Sequence, residues 1–197
     1  MIGRSPRPDR HPVRRHPVRR HRADGEPSAN PPQPQPIPSG QSYRVESPPD
    51  QGLVVPQLAD EVSKVLEQFA QSAGFTAERP LSVVFKRGTL GLHRFGRAAD
   101  IYAVGGKGLG QWAHEWNQAV RRANAAAPPE RPRLLEEEKQ RNLGYRLYRA
   151  LMAHGGWAQP PGYPVQLFGP WTRGEGPHKA ISDRLLHAHR DHIHLAR

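Results

Sequence analysis

Between Pro56 and Gly74 the apolar positions Leu58, Val62, Val65, Leu66 and Phe69 recur at helical spacing, which predicts a surface helix with one buried face, stopped by the glycine. The period then shortens. Leu81-Ser-Val-Val-Phe85 is a β-branched run between Pro80 and Gly88, and Ala98 to Val104 is a second apolar run ending at Gly105-Gly106; both predict strands. Leu109, Trp112, Trp116, Ala119, Val120 and Ala123 return to the helical repeat and predict a helix over 109–127, closed by Pro128-Pro129, with its tryptophans packed in the core. Leu143, Leu147 and Leu151, four apart, predict a third helix over 134–152. Glu136-Glu137-Glu138 would be its solvated opening, matched to the helix dipole, and Gly155-Gly156 its end. Strand-like runs at Pro164 to Phe168 and His192 to Ala196 complete the pattern. Helices and short strands mix without regular βαβ alternation, so the expected fold class is α+β, a small antiparallel sheet flanked by helices.

No comparable pattern precedes Pro56. From Met1 to Asp50 the chain is dominated by Pro, Arg, His, Ser and Gln, a composition that cannot bury enough apolar surface to offset the entropy of ordering. The expected division is a disordered basic Pro/Arg/His-rich arm and linker over 1–52 and one folded domain over 53–197. Within the arm, His11-Pro-Val-Arg-Arg15 repeats as His16-Pro-Val-Arg-Arg20, and Pro31-Pro-Gln-Pro-Gln-Pro36 reads as an extended linker. Two five-residue copies make no stackable unit, so this is a tail and not a solenoid.

Charge narrows the partners only partly. Of the formal net charge of +11, the first fifty residues contribute nine arginines against five acidic residues, and the domain carries the remaining excess. Such a field attracts polyanions without choosing among nucleic acid, anionic lipid and the acidic polymers of a bacterial envelope. The arm is therefore expected to make non-specific polyanion contacts, while no DNA-reading motif or aromatic-basic interleaving points to specific nucleic-acid binding. No run approaches the roughly 18 apolar residues of a membrane span, and no apolar signal-peptide core follows the basic N-terminus. The chain has no cysteine, which suits a reducing cytosol and a disulfide-free envelope protein equally. With no exposed apolar run, a monomer is expected.

Two histidine-carboxylate clusters carry the chemistry: His93-Arg-Phe-Gly96-Arg-Ala98-Ala-Asp100 and His189-Arg-Asp191-His192-Ile-His194. Without cysteine, a zinc site here must use imidazole and carboxylate, and such sites are more often catalytic than structural. Gly96 lets the chain turn, so His93 on the incoming segment and Asp100 on the outgoing strand can address one ion. His192 and His194 alternate on a strand and face the same side, about 6.6 to 7 Å apart. One of them can bind metal while the other faces the reacting group. Asp191 points to the opposite face of an ideal strand, and using it at the same site requires a strand start or a bend. His189 shares Asp191's side of the alternation. The competing reading of this stretch, His187 included, is a histidine-rich tail that binds metals adventitiously.

The order His93-x-x-Gly96-x-Ala98-x-Asp100, followed late in the chain by Asp191-His192-x-His194, resembles the zinc peptidase fold shared by D-alanyl-D-alanine carboxypeptidases, L-alanyl-D-glutamate endopeptidases, penicillin-insensitive murein endopeptidases and the hedgehog signalling domain. The resemblance covers roughly Leu81 to Arg197. It implies Zn2+ held by His93, Asp100 and His194 with water in the fourth position, Asp191 as general base and His192 as oxyanion stabiliser. Two departures stand out: Gly91 occupies a position where many relatives carry serine, and only Lys86 and Arg87 lie near the place of an upstream substrate-holding arginine or glutamine. The implied function is hydrolysis of amide bonds in peptidoglycan stem peptides, as a carboxypeptidase or an endopeptidase. The alternative is a non-catalytic zinc-binding module that binds a peptide or cell-wall partner; intact Asp191 and His192 argue against it. Trp171, Tyr163 and His178 are further candidates for a substrate groove, whereas His114 and His154, on predicted helices, read as solvent-facing or packed histidines.

Overall fold

The structure, a computed structural model, describes residues 33–48, 50–86, 88, 91–155, 157, 166–172 and 182–197. Residues 1–32, which hold most of the expected disordered arm, lie outside the described residues, as do Arg87, Tyr163 and His178. The compact unit spans Pro32–Arg197 and so reaches back into the sequence assigned above to the arm. There, β1 (Gln35–Pro36), β2 (Tyr43–Val45) and β3 (Leu53–Val54) form before the first helix. Tyr43 explains why β2 stays: its ring is buried, its hydroxyl donates to the Pro38 carbonyl at 2.7 Å, and the neighbouring Ser42 N–H donates to the Glu67 carboxylate at 3.0 Å.

Helix α1 (Pro56–Ser72) opens with proline at its first position and buries Leu58, Val62, Val65, Leu66 and Phe69, the face its periodicity predicts. In β4 (Leu81–Lys86), Leu81, Val83 and Phe85 alternate into the core. A 3-10 turn (Gly91–Phe95) then leads into β5 (Ala98–Val104). Gly105 and Gly106, both at positive φ (62° and 75°), reverse the chain into β6 (Lys107–Gly108), a turn that ordinary side chains resist. Helix α2 (Leu109–Ala125) follows, and its expected core tryptophans Trp112 and Trp116 are half-buried against the core.

The helix expected over 134–152 is two helices, α3 (Arg131–Arg141) and α4 (Leu143–His154), broken at Asn142. The leucine spacing belongs to α4 alone. Asn142 leaves helical geometry at ψ 98°, and its carboxamide oxygen accepts from the Tyr145 N–H at 3.0 Å as the cap of α4. Its amide donates to the Trp112 carbonyl and to Glu138, each at 2.9 Å. The remaining elements are β7 (Leu167–Phe168), α5 (Asp183–Ala188) and β8 (Ile193–Ala196).

The α+β class holds, but the sheet is mixed rather than purely antiparallel. Its order is β2-β4-β5-β8-β7 with β6 beside β5, and β2 runs parallel to β4. The correction comes from β2, a three-residue strand in a proline-rich stretch where no alternation could announce it. Ile101, Ile193 and Leu195 turn into the main core with α1, α2 and α4, while Ala98, Ala196 and Leu92 form a small second cluster. The centre of the sheet thus has a helical core on one face and, on the other, side chains free for chemistry.

Asn142 is fully buried and serves three partners. Asn142→Ala is expected to lower unfolding free energy by about 2 to 3 kcal/mol, combining a lost cap with buried groups left unsatisfied. Urea denaturation checks this. A loss under about 0.5 kcal/mol, the range of an ordinary surface change, would mean that the helix break does not depend on this side chain.

Candidate metal centre

Each candidate ligand is held by a different local device. Asp100 projects from the middle of β5, directly opposite His194 in the antiparallel register with β8. His93 comes from the 3-10 turn, which glycines bound: Gly91 and Gly96 sit at φ 60° and 64°, and the Gly96 carbonyl accepts from the Val55 N–H at 2.8 Å. The turn therefore folds back over the start of β5. The imidazole of His93 lies against Gly88, where any Cβ would stand about 2.4 Å from the ring. A side chain at Gly88 would drive His93 out of position.

Three side chains from the two sequence clusters meet here. His194 Nδ1 lies 2.9 Å from Asp100 Oδ1, His93 Nε2 lies 3.3 Å from Asp100 Oδ2, and the two ring nitrogens are 3.2 Å apart. Donors bound at about 2.0 to 2.2 Å in a tetrahedron stand about 3.3 to 3.6 Å from one another, so this set is already close to the spacing that a small divalent ion imposes. Together His93, Asp100 and His194 form a group that could hold a metal ion. Two imidazole nitrogens turned toward each other and toward one carboxylate form a donor set for a cation.

Asp100 is buried, and its ion partners among the described residues are all histidines. Burial opposes its ionisation, but hydrogen bonds and charge from His194 and His93 outweigh that and hold the carboxyl well below the usual carboxylate range. The candidate ligand is thus held in its charged form.

Asp191 and His192 stand beside this group. The strand begins at Ile193, one residue later than expected, so Asp191 and His192 belong to the turn before it. That start frees Asp191 from strict alternation. Its carboxylate, about half exposed, lies 2.9 Å from His192 Nδ1, and His192 Nε2 is 3.9 Å from Asp100 Oδ1. A proton on Nδ1 donated to Asp191 leaves Nε2 turned toward the ligand group.

Three neighbours of the site lie outside the two sequence clusters, and of these only Lys86 is named above, for its place near an upstream substrate-holding position. Tyr102 stacks on His192 with centroids 4.8 Å apart and planes 12° off parallel, and the Lys86 ammonium lies 4.3 Å from the Tyr102 centroid. Phe168, opposite His194 in the β7–β8 register, stacks on it at 5.9 Å. Tyr102 lies two residues after Asp100, so period-two counting could have found it; the others depend on strand partners. His189, set apart in the sequence reading, has its ring centroid 4.9 Å from that of His192 and 5.3 Å from that of His194. His114 and His154, by contrast, are surface histidines of α2 and α4.

Burial pushes the His189 imidazole down, as do its neighbours His194 and His192, against the opposing effects of the Leu185 carbonyl and Asp100. Unfolding restores an ordinary histidine near 6.5, so the unfolded chain binds this proton more tightly and stability rises with pH across the window just below that value. In metal-free protein, His189→Asn is expected to flatten the loss of stability between about pH 7 and pH 5. Denaturant titrations at several pH values read the slope, and an unchanged slope would show that His189 does not contribute. Asp100 acts in the same direction only below about pH 4, as its own proton returns.

Comparison with protein-family models, with curated proteins and with solved structures returns no match for this chain.

Proposed function

We propose that the protein is a zinc-dependent peptidase that hydrolyses amide bonds in peptidoglycan stem peptides, with the fold of the D-alanyl-D-alanine carboxypeptidase, murein endopeptidase and hedgehog group. The observation that carries the reading is the meeting of His93, Asp100 and His194 at mutual distances of 2.9 to 3.3 Å, with Asp191 and His192 alongside. Two histidines and a carboxylate suit Zn2+ and leave a coordination position open, as catalytic sites require. When bound, zinc acidifies water and polarises a carbonyl.

The residues of the chain do the rest. Asp191, exposed enough to meet a substrate, takes the proton of the attacking water and returns it to the leaving amine. His192, its Nδ1–H donating to Asp191 and its ring pressed flat on Tyr102, is fixed in one tautomer and orientation. From there, once Nε2 is protonated as well to give the imidazolium, its second N–H can meet the negative charge that develops on the carbonyl oxygen. Lys86 and Arg94 line a small hollow next to His93 and add positive charge where an anionic stem peptide would lie. The net charge of +11 favours the same class of polymer.

Zinc content and muropeptide cleavage, measured on one purified sample, test this. Wild type is expected to hold one zinc and to yield a new stem-peptide product by mass; His93→Ala and His194→Ala should lose the metal on dialysis. Asp191→Ala should keep zinc and lose on the order of 10² to 10⁴ in turnover. Full activity in that variant would remove the proton carrier from the mechanism. Zinc retained without cleavage of any stem would leave a module that only binds.

A further inference from the structure

A cavity of about 650 Å3 lies between α2, α4 and α5, within the range of about 300 to 1,000 Å3 typical of small-molecule sites. Its wall borders the Asp191 end of the candidate metal centre. Arg190, on its wall, immediately precedes Asp191, and Gly110, at the start of α2, is so close that a Cβ there would stand 3.3 Å from the Asp191 Cβ. Ala113, Trp116 and Asn117 continue along the same helix into the cavity.

The lining combines two chemistries. Trp116 stacks on Tyr145 with centroids 4.5 Å apart and planes 14° off parallel, and Trp171 meets Tyr145 edge-on at 6.2 Å. Stacked on Tyr145 and half-buried, Trp116 lines the cavity with flat apolar surface. Around it stand exposed polar groups of both kinds: the Asn117 amide, the Asp183 carboxylate, and Arg190, whose Nη1 lies 3.1 Å from His187 Nε2. Trp171 adds a buried indole N–H that finds no acceptor among the described residues.

A charged ligand would be selected by one sign of charge, but Asp183 and Arg190 cancel. An apolar side chain would leave the polar rim unused. A pyranose ring suits both parts, since its C–H face is flat and apolar while hydroxyl and acetamido groups ring its edge as donors and acceptors. We propose that this cavity binds an N-acetylated sugar of the peptidoglycan glycan, so that the protein acts on stem peptides still attached to their saccharide. This rests on the peptidase reading above and names the substrate within it.

The test uses the full chain and two readouts. In the first, the peptide-free disaccharide N-acetylglucosaminyl-N-acetylmuramic acid is titrated while tryptophan fluorescence is followed. Saturable binding is expected, weakened at least about fivefold, or ~1 kcal/mol, in Trp116→Ala and in Asn117→Ala. Asn117 is exposed, so its variant keeps the test valid should the tryptophan variant fold poorly. In the second, one stem peptide is offered with and without its disaccharide. The glycan-bearing form should show a KM about tenfold lower, and both variants should bring that ratio toward one. Absence of saturable disaccharide binding, or a ratio near one in wild type, overturns the proposal while leaving stem hydrolysis intact. Disaccharide binding by a chain that cleaves no stem supports the cavity and removes the peptidase reading.

Discussion

Asp100 and His194 face each other across β5 and β8, and the donor group that could hold a metal ion exists only in that register. A slip of one residue would turn His194 toward the helical core and carry Ile193 or Leu195 onto the other face. Both of these apolar side chains are fully buried. At about 1.5 to 3 kcal/mol for each such side chain, burial on the core face is what holds the register. The pairs Ala98–Ala196 and Ala99–Leu195 continue the same ladder, and small residues at Ala98 and Ala196 let Leu92 and the turn carrying His93 lie close over the strand ends. Chemistry on one face of the sheet is thus aligned by oil on the other.

A second constraint follows from burying Asp100. A lone buried carboxylate is opposed by several kcal/mol, and proteins usually offset this with an arginine or lysine. Here the partners among the described residues are His93, His192 and His194. The difference matters chemically. A guanidinium or ammonium has no lone pair and would compete with a cation, whereas an imidazole can donate an N–H to the carboxylate in the empty site and present a lone pair in the loaded one. Phe168 packs against His194 and Tyr102 against His192, which limits how far those rings can turn.

Much of this could be read from local pattern, and the failures share a cause. The α1 and β4 faces, the β5 run with Asp100 and the extent of α2 follow from spacing, because each buries one side of a single element. The meeting of His93, Asp100 and His194 came from the paired motifs rather than from any single one, since neither cluster alone reports on a residue about a hundred positions away. What stayed hidden depends on a partner. β2 is three residues whose only pattern is one buried tyrosine, and it forms because β4 offers an edge. Asn142 looks like any polar residue within a helical repeat until its carboxamide is seen to cap one helix and bind two others' groups. Tyr102 and Phe168 join the site through sheet geometry, for which composition has no signature, and the contact of Lys86 with Tyr102 depends on the same geometry.

The same partner dependence links the aromatic cavity to the candidate metal centre. Helix α2 touches Asp191 through Gly110 and carries Trp116 and Asn117 two turns further on. It is tied to its neighbours: Asn142 donates to the Trp112 carbonyl, the Trp112 indole donates to the Val104 carbonyl at the end of β5, and Lys107 joins Glu115 at 2.8 Å. The strand that holds Asp100 and the helix that lines the cavity are therefore one mechanical unit. Under the proposed function, contacts made far from the scissile bond on such a unit orient the amide before reaction, and their energy appears as rate only if the spacing between cavity and centre is fixed. A cavity on a mobile lid could tighten binding without that benefit; one built on α2 can do both.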